Sequence, residues 1–338
     1  MAVVVIINKD VRENSERYGA LLKDNGFEVR IEEDSRFIFG NVTDQEIIDR
    51  LQGVSGIIVG TNPYSANVID NLPELRVIAR TGVGYDSVDI SAATENKTVV
   101  TITPNANYEA VAEHAMMLIL AIAKSIVNVD KGMRLREWPN SPKKPIRGSV
   151  LGIVGLGRIG KSLAIKAKAM KMKVVAAESI PDKAFVEEHD IDLITPEQLF
   201  KIADYISLHC PLTDETQGII NHRSIDLMKA GVSIINTARG GLVVESDLVA
   251  ALESGKVANA GLDVFEQEPM LEDNPLYGLE NVILSPHVAG IDELSRLDMG
   301  MEAANCIIDL SNDRWPDGAV VNGELKEKWR WGDDTKTL

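Results

Sequence analysis

Short apolar runs alternate with amphipathic, helix-forming segments along nearly the whole chain. Most of the runs are rich in valine and isoleucine and are apolar without alternating polar positions. Strands with two apolar faces are typical of parallel sheets that helices cover on both sides. The first series of predicted strands comprises Ala2–Asn8, Phe27–Glu32, Gly56–Val59, Arg76–Arg80 and Val99–Ile102.

A second series of the same kind begins at Ser149. Its predicted strands are Val150–Val154, Lys173–Ala177, Tyr205–His209, Ser233–Asn236, Asn259–Leu262 and Val282–Leu284. A last helix, Glu293–Leu310, lies beyond them. The two series predict an α/β protein with two doubly wound parallel sheets.

One long helix is predicted between the two series, over Asn107–Val127. It is apolar nearly all round, but Glu113, His114 and Lys124 interrupt it, which disfavours a membrane span. We expect a helix buried between two domains. The segment WPNSPKKPIRG follows and is expected to be an exposed loop.

The charge balance excludes some classes of partner. The 338 residues include 35 basic and 51 acidic side chains, a formal net charge of -16. Nucleic acids and anionic membranes require basic surfaces, so we expect neither as a partner. The two cysteines cannot form a disulfide framework or a metal cluster, so no metal site and a reducing, cytoplasmic setting are expected. The N-terminal apolar run is too short for a signal segment.

A glycine-rich motif, GLGRIG, directly follows the predicted strand Val150–Val154. Gly155 permits a tight turn, Gly157 lets the backbone approach a pyrophosphate, and Gly160 allows close packing of helix on strand. The helix that begins near Arg158 would direct free N–H groups at the phosphates. Glycines also serve ordinary turns, but the preceding strand and the following helix favour a dinucleotide site.

An acidic residue ends the next strand. Glu178 follows the motif by about 20 residues, the spacing at which a carboxylate accepts from a ribose 2′-hydroxyl. A solvated glutamate is the plain alternative. A carboxylate there would repel a 2′-phosphate, and the following SIPDK holds no arginine, so NAD is favoured over NADP.

Three reactive side chains follow successive strands of the second series. Arg239, Glu268 and His287 each come after a predicted strand, where open α/β sheets bind ligands. Taken singly, each also fits an ordinary role on the surface or in the core. Together they suit a carboxylic substrate: arginine grips a carboxylate, histidine transfers a proton, and glutamate orients the histidine.

Several motifs in order make the chain resemble the D-isomer-specific 2-hydroxyacid dehydrogenases, particularly members related to D-3-phosphoglycerate dehydrogenase. The motifs are ARTGVGYDSVD, NYEAVAEHAMMLIL, GIVGLGRIG, LHCPLTDETQGII, INTARGG, GLDVFEQEP and SPHVAG. The resemblance implies a Rossmann NAD domain over residues 104–290, inserted into a flavodoxin-like substrate domain of residues 1–103 and 291–338. The chain ends at Leu338, so no C-terminal regulatory domain is expected.

The resemblance also implies roles for particular residues. His287 would donate the proton to a 2-keto acid, paired with Glu268, while Arg239 would bind the substrate carboxylate. The other substrate contacts would be the backbone of Gly82, Val83 and Gly84. The implied NAD contacts are Val83, Gly155, Gly157, Arg158, Ile159, Gly160, Glu178, Cys210, Pro211, Thr216, Thr237, Ala238 and Asp263.

Some questions stay open at this point. Where phosphoglycerate enzymes of the family often carry an arginine, this chain has Thr61 and Asn62, which puts 3-phosphoglycerate in doubt. An NAD-sensing, corepressor-like binding protein on the same fold is the alternative function. The resemblance further implies a homodimer in which the loop Trp138–Arg147 reaches the neighbouring subunit. A solvated loop whose tryptophan packs on its own domain is the alternative.

Overall fold

The computed structural model describes residues 1–7, 12–38 and 40–332. The end of the first predicted strand, Asn8, lies outside these residues. The chain divides into two units, one formed by Met1–Asn107 with Asp292–Leu338 and the other by Tyr108–Ile291.

Strands and helices alternate along both units. The strands are β1 (Val3–Ile7), β2 (Glu28–Ile31), β3 (Gly56–Val59), β4 (Val77–Arg80), β5 (Val99–Thr101), β6 (Val150–Val154), β7 (Lys173–Ala177), β8 (Asp192–Leu193), β9 (Tyr205–Leu208), β10 (Val232–Asn236), β11 (Val257–Leu262) and β12 (Val282–Leu284). The helices are α1 (Arg12–Asp24), α2 (Ser35–Ile38), α3 (Asp44–Leu51), α4 (Ala66–Asp70), α5 (Ile90–Glu95), α6 (Tyr108–Lys124), α7 (Ile126–Arg134), α8 (Arg158–Ala169), α9 (Lys183–Glu188), α10 (Pro196–Ile202), α11 (His222–Leu227), α12 (Glu245–Glu253) and α13 (Glu293–Ser311).

The first unit is built on a five-stranded parallel sheet with the order β2-β1-β3-β4-β5. This is the flavodoxin-like order. Strands β1, β3 and β4 are buried along their whole length, as their continuous apolar sequence predicts. Helix α13 packs with α1 and against the sheet, so the C-terminal segment belongs to this core.

Three tryptophans near the C-terminus, Trp315, Trp329 and Trp331, pack against the core of the first unit. Trp329 is 3% exposed, lies edge-on to both Trp315 and Trp331, and donates its indole N–H to the Lys97 carbonyl oxygen at 2.8 Å. The guanidinium of Arg76 lies 5.5 Å from the centre of the Trp329 ring. Trp329 therefore contributes buried area at a position for which no sequence pattern predicted a role.

The second unit is built on a seven-stranded parallel sheet with the order β12-β11-β10-β9-β6-β7-β8. Its first six strands in chain order have the connectivity of a Rossmann domain. The second and third strands lie on one side of the first strand, β6, and the fourth to sixth strands lie on its other side. The predicted α/β class with two doubly wound parallel sheets is confirmed.

The single long helix predicted between the two strand series is wrong in its extent. Ser125 has a left-handed backbone, with φ 49°, and separates α6 from α7, whose axes differ by 58°. The apolar pattern continues across this break and so did not reveal it. Helix α6 packs on α8, β10 and β11 of its own unit, and most of its apolar positions are buried.

Candidate functional site

The glycine motif forms a tight loop between β6 and α8. Gly155 has φ +96°, and a Cβ placed there would lie 2.5 Å from the Cys210 backbone nitrogen. A Cβ on Gly160 would lie 2.2 Å from the Gly155 carbonyl oxygen. By contrast, a Cβ on Gly157 meets no atom within 4 Å. The first and third glycines are needed for packing, whereas the second borders open space.

Helix α8 presents its N-terminus to this open space. Arg158 and Ile159 are the first two residues of the helix, and Gly157 is its N-cap residue. Gly157 has no side chain that could accept from the first N–H groups of the helix. Such an end binds anions, because its N–H groups and the helix dipole both favour negative charge. The loop therefore fits a pyrophosphate.

The acid after β7 lies beside the glycine loop. One carboxylate oxygen of Glu178 accepts from the Leu156 backbone N–H at 2.6 Å, and the other accepts from the Ile180 N–H at 3.0 Å. Glu178 is partly exposed, so its oxygens can accept further bonds. Glu178 is thus held beside the glycine loop, and its contact with a ribose stays a prediction.

The segment after β9 lies beside the glycine loop, because β9 pairs with β6 and the Cys210 backbone approaches Gly155. The imidazole Nε2 of His209 is 2.8 Å from the Ser207 hydroxyl, while its Nδ1 is buried without a partner among the described residues. Burial lowers the pKa of His209 to about 3 and raises that of the neighbouring Cys210 thiol to about 11. Both side chains are neutral at physiological pH.

Two further residues of the predicted cofactor set differ in what their side chains do. The Thr216 hydroxyl donates to the Pro211 carbonyl oxygen at 2.6 Å and accepts from the Thr213 N–H at 2.8 Å, so it stabilises its own turn. The Thr237 hydroxyl is buried and has no partner among the described residues. Buried polar groups are normally paired, so Thr237 and His209 fit a site that a polar ligand completes.

The turn after β10 directs Arg239. The Asn236 side-chain amide donates to the Arg239 carbonyl oxygen at 2.8 Å, and its oxygen accepts from the Ala238 N–H at 3.1 Å. A Cβ on Gly240 would lie 1.8 Å from the Phe265 carbonyl oxygen. Only glycine permits this approach, which brings the Arg239 turn next to the loop that carries Glu268.

His287 and Glu268 form a hydrogen-bonded pair. Imidazole Nδ1 lies 2.6 Å from the Glu268 Oε2 atom, and both side chains are partly exposed. Burial alone would raise the pKa of Glu268, but the bond with His287, the Phe265 N–H and the charge of Arg239 together lower it. Glu268 therefore stays ionised beside the imidazole.

We call residues Ser285–Ala289 the histidine turn. Within it, His287 has φ 53°, a left-handed conformation that typically costs a non-glycine residue about 1–3 kcal/mol. Asp263 stabilises the turn, because its main-chain oxygen accepts from the His287 N–H at 2.8 Å. Its carboxylate is 0% exposed and accepts from Ser285, Val288 and Ala289.

Asp263 was predicted to contact NAD. In the structure its side chain is fully enclosed and bonds to the histidine turn, so a bond to the cofactor stays a prediction. The sequence reasoning also missed two residues, His114 and Ser285, which join this cluster through a 3.0 Å contact between His114 Nε2 and Ser285 Oγ. The signal was present, because His114 is one of the few polar residues in a mostly apolar helix.

The predicted carboxylate loop lies in the first unit. Gly82 has φ +147° and forms two hydrogen bonds with Thr103, one from its N–H to the hydroxyl at 2.8 Å and one from the Thr103 N–H to its carbonyl oxygen at 3.0 Å. The buried Arg80 donates twice to the Gly84 carbonyl oxygen, at 3.0 and 2.8 Å. These contacts fix both sides of Val83. The role of the loop in substrate binding stays a prediction.

Metal and membrane sites are not indicated within residues 1–7, 12–38 and 40–332. In these ranges no group of three or more His, Cys, Asp or Glu side chains is placed to hold a metal ion. No single helix there is long and apolar enough to cross a bilayer; α6 and α7 meet the criteria only together, as a bent pair.

With this geometry in place, comparison with known families is decisive. Residues 116–289 match the model of the D-isomer specific 2-hydroxyacid dehydrogenase NAD binding domain. The chain belongs to this family. The match confirms the predicted family and NAD cofactor, and the family is one of dehydrogenases, the enzyme class that the sequence predicted.

Named relatives span more than one activity. The chain is 35% identical over 310 residues to the D-3-phosphoglycerate dehydrogenase of Archaeoglobus fulgidus, covering 91% of this chain and 57% of that protein. It is 36% identical over 286 residues to the glyoxylate reductase of Korarchaeum cryptofilum, covering 82% and 86%. The chain thus spans little more than half of the first relative.

A solved structure agrees with the fold. The TT0316 protein from Thermus thermophilus superposes with a TM-score of 0.83 at 32% identity, covering 94% of this chain and 100% of that one. The agreement therefore includes residues of both units.

Proposed function

We propose that this protein reduces small, unphosphorylated 2-keto acids to D-2-hydroxy acids, and catalyses the reverse oxidation, with His287 as the proton-transfer residue. The observation that carries the proposal is the 2.6 Å contact between His287 Nδ1 and Glu268. Because the carboxylate engages Nδ1, Nε2 is the nitrogen left to face a substrate oxygen. A protonated imidazole then donates from Nε2 to the carbonyl oxygen.

Reduction of the keto group requires one hydride at the carbonyl carbon and one proton at the carbonyl oxygen. NADH, when bound, would supply the hydride that the carbonyl carbon accepts. The carbonyl oxygen takes its proton from His287, and Glu268 stabilises the imidazolium before that transfer. In the oxidation direction His287 takes the hydroxyl proton instead. Arg239 binds the substrate carboxylate through its planar guanidinium and draws electron density from the carbonyl.

The cofactor is proposed to bind along the glycine loop and the neighbouring strand ends. The glycine motif and the α8 N-terminus would hold the pyrophosphate, Glu178 the adenosine ribose, and Thr237 and Ala238 the nicotinamide half. Cys210 and Pro211 would line the pocket. We assign residues 104–290 to the NAD domain and residues 1–103 and 291–338 to the substrate domain, where Gly82, Val83 and Gly84 would bind the carboxylate.

The preference for unphosphorylated acids rests on the loop after β3. Asn62 is buried, and its amide donates to the Phe37 and Ile38 carbonyl oxygens at 2.7 and 3.2 Å. Its side chain therefore serves the fold of the first unit and has no charge to offer a phosphate. Thr61 beside it offers only a hydroxyl. In sequence the chain is related to phosphoglycerate dehydrogenases, but the glyoxylate reductase named above is as similar in identity.

The test is a comparison of substrates with one enzyme preparation. We would measure kcat/KM with NADH for pyruvate, glyoxylate, hydroxypyruvate and phosphohydroxypyruvate. We expect turnover of at least one of the first three at a kcat/KM above that for phosphohydroxypyruvate. No turnover of any 2-keto acid would reject the function, and a preference for phosphohydroxypyruvate would reject the substrate class.

The corepressor-like alternative has no observation in its favour. The relatives named above are enzymes, and the His287–Glu268 pair has the arrangement that proton transfer requires. A protein that only sensed NAD would need no such pair.

We further propose a homodimer that works in the cytoplasm. Trp138 is 80% exposed, and Leu135, Met133, Val127 and Ile126 are also exposed along α7 and the segment after it. Clustered exposed apolar side chains favour a protein interface. Sedimentation at micromolar concentration should give a dimer; a monomer would reject this part of the proposal.

A further inference from the structure

We propose that His114 is a positioning residue for proton transfer, acting on His287 through Ser285 and Asp263. The inference rests on the proposed role of His287. His114 lies on α6, far in sequence from the histidine turn, and is not among the predicted site residues. Its imidazole Nε2 is 3.0 Å from Ser285 Oγ and 3.7 Å from Asp263 Oδ1.

The hydrogen bonds that link His114, Ser285 and Asp263 have a fixed direction. The Ser285 hydroxyl donates its one proton to Asp263 Oδ1 at 2.6 Å. Its oxygen can then only accept from the imidazole, so His114 carries a proton on Nε2 and donates it. The direction runs from His114 to Ser285 to Asp263, and each member is oriented by the one before it.

Asp263 passes this orientation to the catalytic histidine. The Asp263 carboxylate is fully buried, so its negative charge must be stabilised by the hydrogen-bond donors around it. Two of these are the Val288 N–H at 3.0 Å and the Ala289 N–H at 2.8 Å, directly after His287. The main-chain oxygen of Asp263 accepts from His287 itself. Asp263 therefore contacts the turn before, at and after the left-handed residue.

Without the His114 donor, the Ser285 hydroxyl would be free to rotate away from Asp263. The turn would lose one of its three hydrogen bonds to the carboxylate, and the left-handed residue could relax. A small displacement of His287 changes both its contact with Glu268 and its reach to the substrate oxygen. Misplacement of about 1 Å at a reacting group can cost on the order of 100-fold in rate.

The test combines kinetics with NMR of the 338-residue chain. The variants are His114→Ala, His114→Gln, Ser285→Ala and the double variant His114→Ala with Ser285→Ala. Glutamine carries an Nε2 donor at nearly the same reach as imidazole and serves as the conservative replacement. His222→Ala is the matched control, because His222 is a 69% exposed histidine of the same unit.

We expect His114→Ala to lower kcat for the best 2-keto acid by about 10- to 100-fold. KM and the Kd for NADH should stay within about threefold, and His114→Gln should recover most of the rate. The double variant should be no slower than the slower single variant, since both remove the same chain. In NMR, the imidazole signals of His287 should shift in His114→Ala and stay unchanged in His222→Ala.

Several results would overturn the inference. These are a wild-type kcat in His114→Ala, losses that add in the double variant, a glutamine variant as slow as the alanine variant, or unshifted His287 signals. If His114→Ala does not fold, His114→Gln and Ser285→Ala decide the matter by the same measurements. A wild-type enzyme inactive on every 2-keto acid would reject the proposed function instead, while the NMR comparison would still decide whether His114 positions the turn.

Discussion

The glycine loop and the histidine turn lie at strand ends of the same sheet, yet they are built in different ways. The glycine loop is shaped by its own residues, because Gly155 and Gly160 are required by contacts within a few positions or with the adjacent strand end. The histidine turn is shaped by side chains far along the sequence. Asp263, Glu268 and His114 all act on it from other elements.

This difference separates two kinds of functional site. A loop that binds a ligand with its backbone needs particular backbone angles and small residues, and glycine supplies both. A turn that presents one reactive side chain needs neighbours that hold a strained conformation in place. Substitutions should therefore act on binding in the first region and on the rate of chemistry in the second.

A large loss of stability is expected from Gly160→Ala. Its Cβ would overlap the Gly155 carbonyl oxygen, so the loop backbone must move, and we expect a loss of about 3 kcal/mol in the free energy of unfolding. Gly157→Ala is the matched control, since its Cβ meets open space. It should unfold like the wild type in denaturant but bind NADH at least about tenfold more weakly, as judged by titration. Equal stability of the two variants would contradict this picture of the loop.

The two regions also differ in how much the sequence could predict. The spacing of GLGRIG after a strand predicted the glycine loop, because its requirements are local. The break at Ser125 was missed because apolar residues continue through it, and β8 was missed because its two residues are exposed. The link from His114 to Ser285 joins residues 171 positions apart, which no local pattern can show.

Removing the carboxylate of Glu268, the partner of His287, should have a pH-dependent effect on the rate. The pKa of Glu268 is held below its ordinary value of 4.5, so the carboxylate is ionised at every pH above that value. Its negative charge lies 2.6 Å from imidazole Nδ1 and attracts the positively charged form of the ring. In Glu268→Gln this support is gone, so the loss in kcat for 2-keto acid reduction should grow between about pH 5.5 and pH 8.

The magnitude of the Glu268→Gln effect should be about 10-fold at the low end of that range and about 100-fold at the high end. Glu272→Gln is the control, because Glu272 is exposed in the same loop. A loss that is constant with pH would mean that Glu268 only holds the ring in place.

The choice of cofactor tests the glycine loop and its neighbour Glu178. We expect NADH to bind at least about 100-fold more tightly than NADPH, since a 2′-phosphate beside this carboxylate is a like-charge contact costing several kcal/mol. Glu178→Ala should reduce the ratio of the NADPH Kd to the NADH Kd. Glu188 is exposed elsewhere on the surface, and Glu188→Ala should leave this ratio unchanged. Comparable wild-type affinities for the two cofactors, measured by fluorescence titration, would show that the carboxylate does not face the ribose.

The smallest effect is expected from the exposed loop after α7. Trp138 is 80% exposed, so Trp138→Ala removes little packing within its own unit and the melting temperature should not change. If the loop lies at a dimer interface, truncation should weaken association by about 2 kcal/mol. It should also shift the relative kcat/KM among 2-keto acids by a few fold. Tyr277→Ala, another exposed aromatic of the unit, is the control for sedimentation and kinetics.

The most direct measurement of the central claim is a single turnover with His287→Ala. Enzyme saturated with NADH is mixed with the best 2-keto acid, and the loss of NADH absorbance is followed in the wild type, His287→Ala and His222→Ala. We predict that His287→Ala binds NADH as tightly as the wild type but reduces the keto acid at least about 100-fold more slowly, while His222→Ala is unaffected. A wild-type rate of reduction in His287→Ala would contradict the assignment of His287 as the proton-transfer residue.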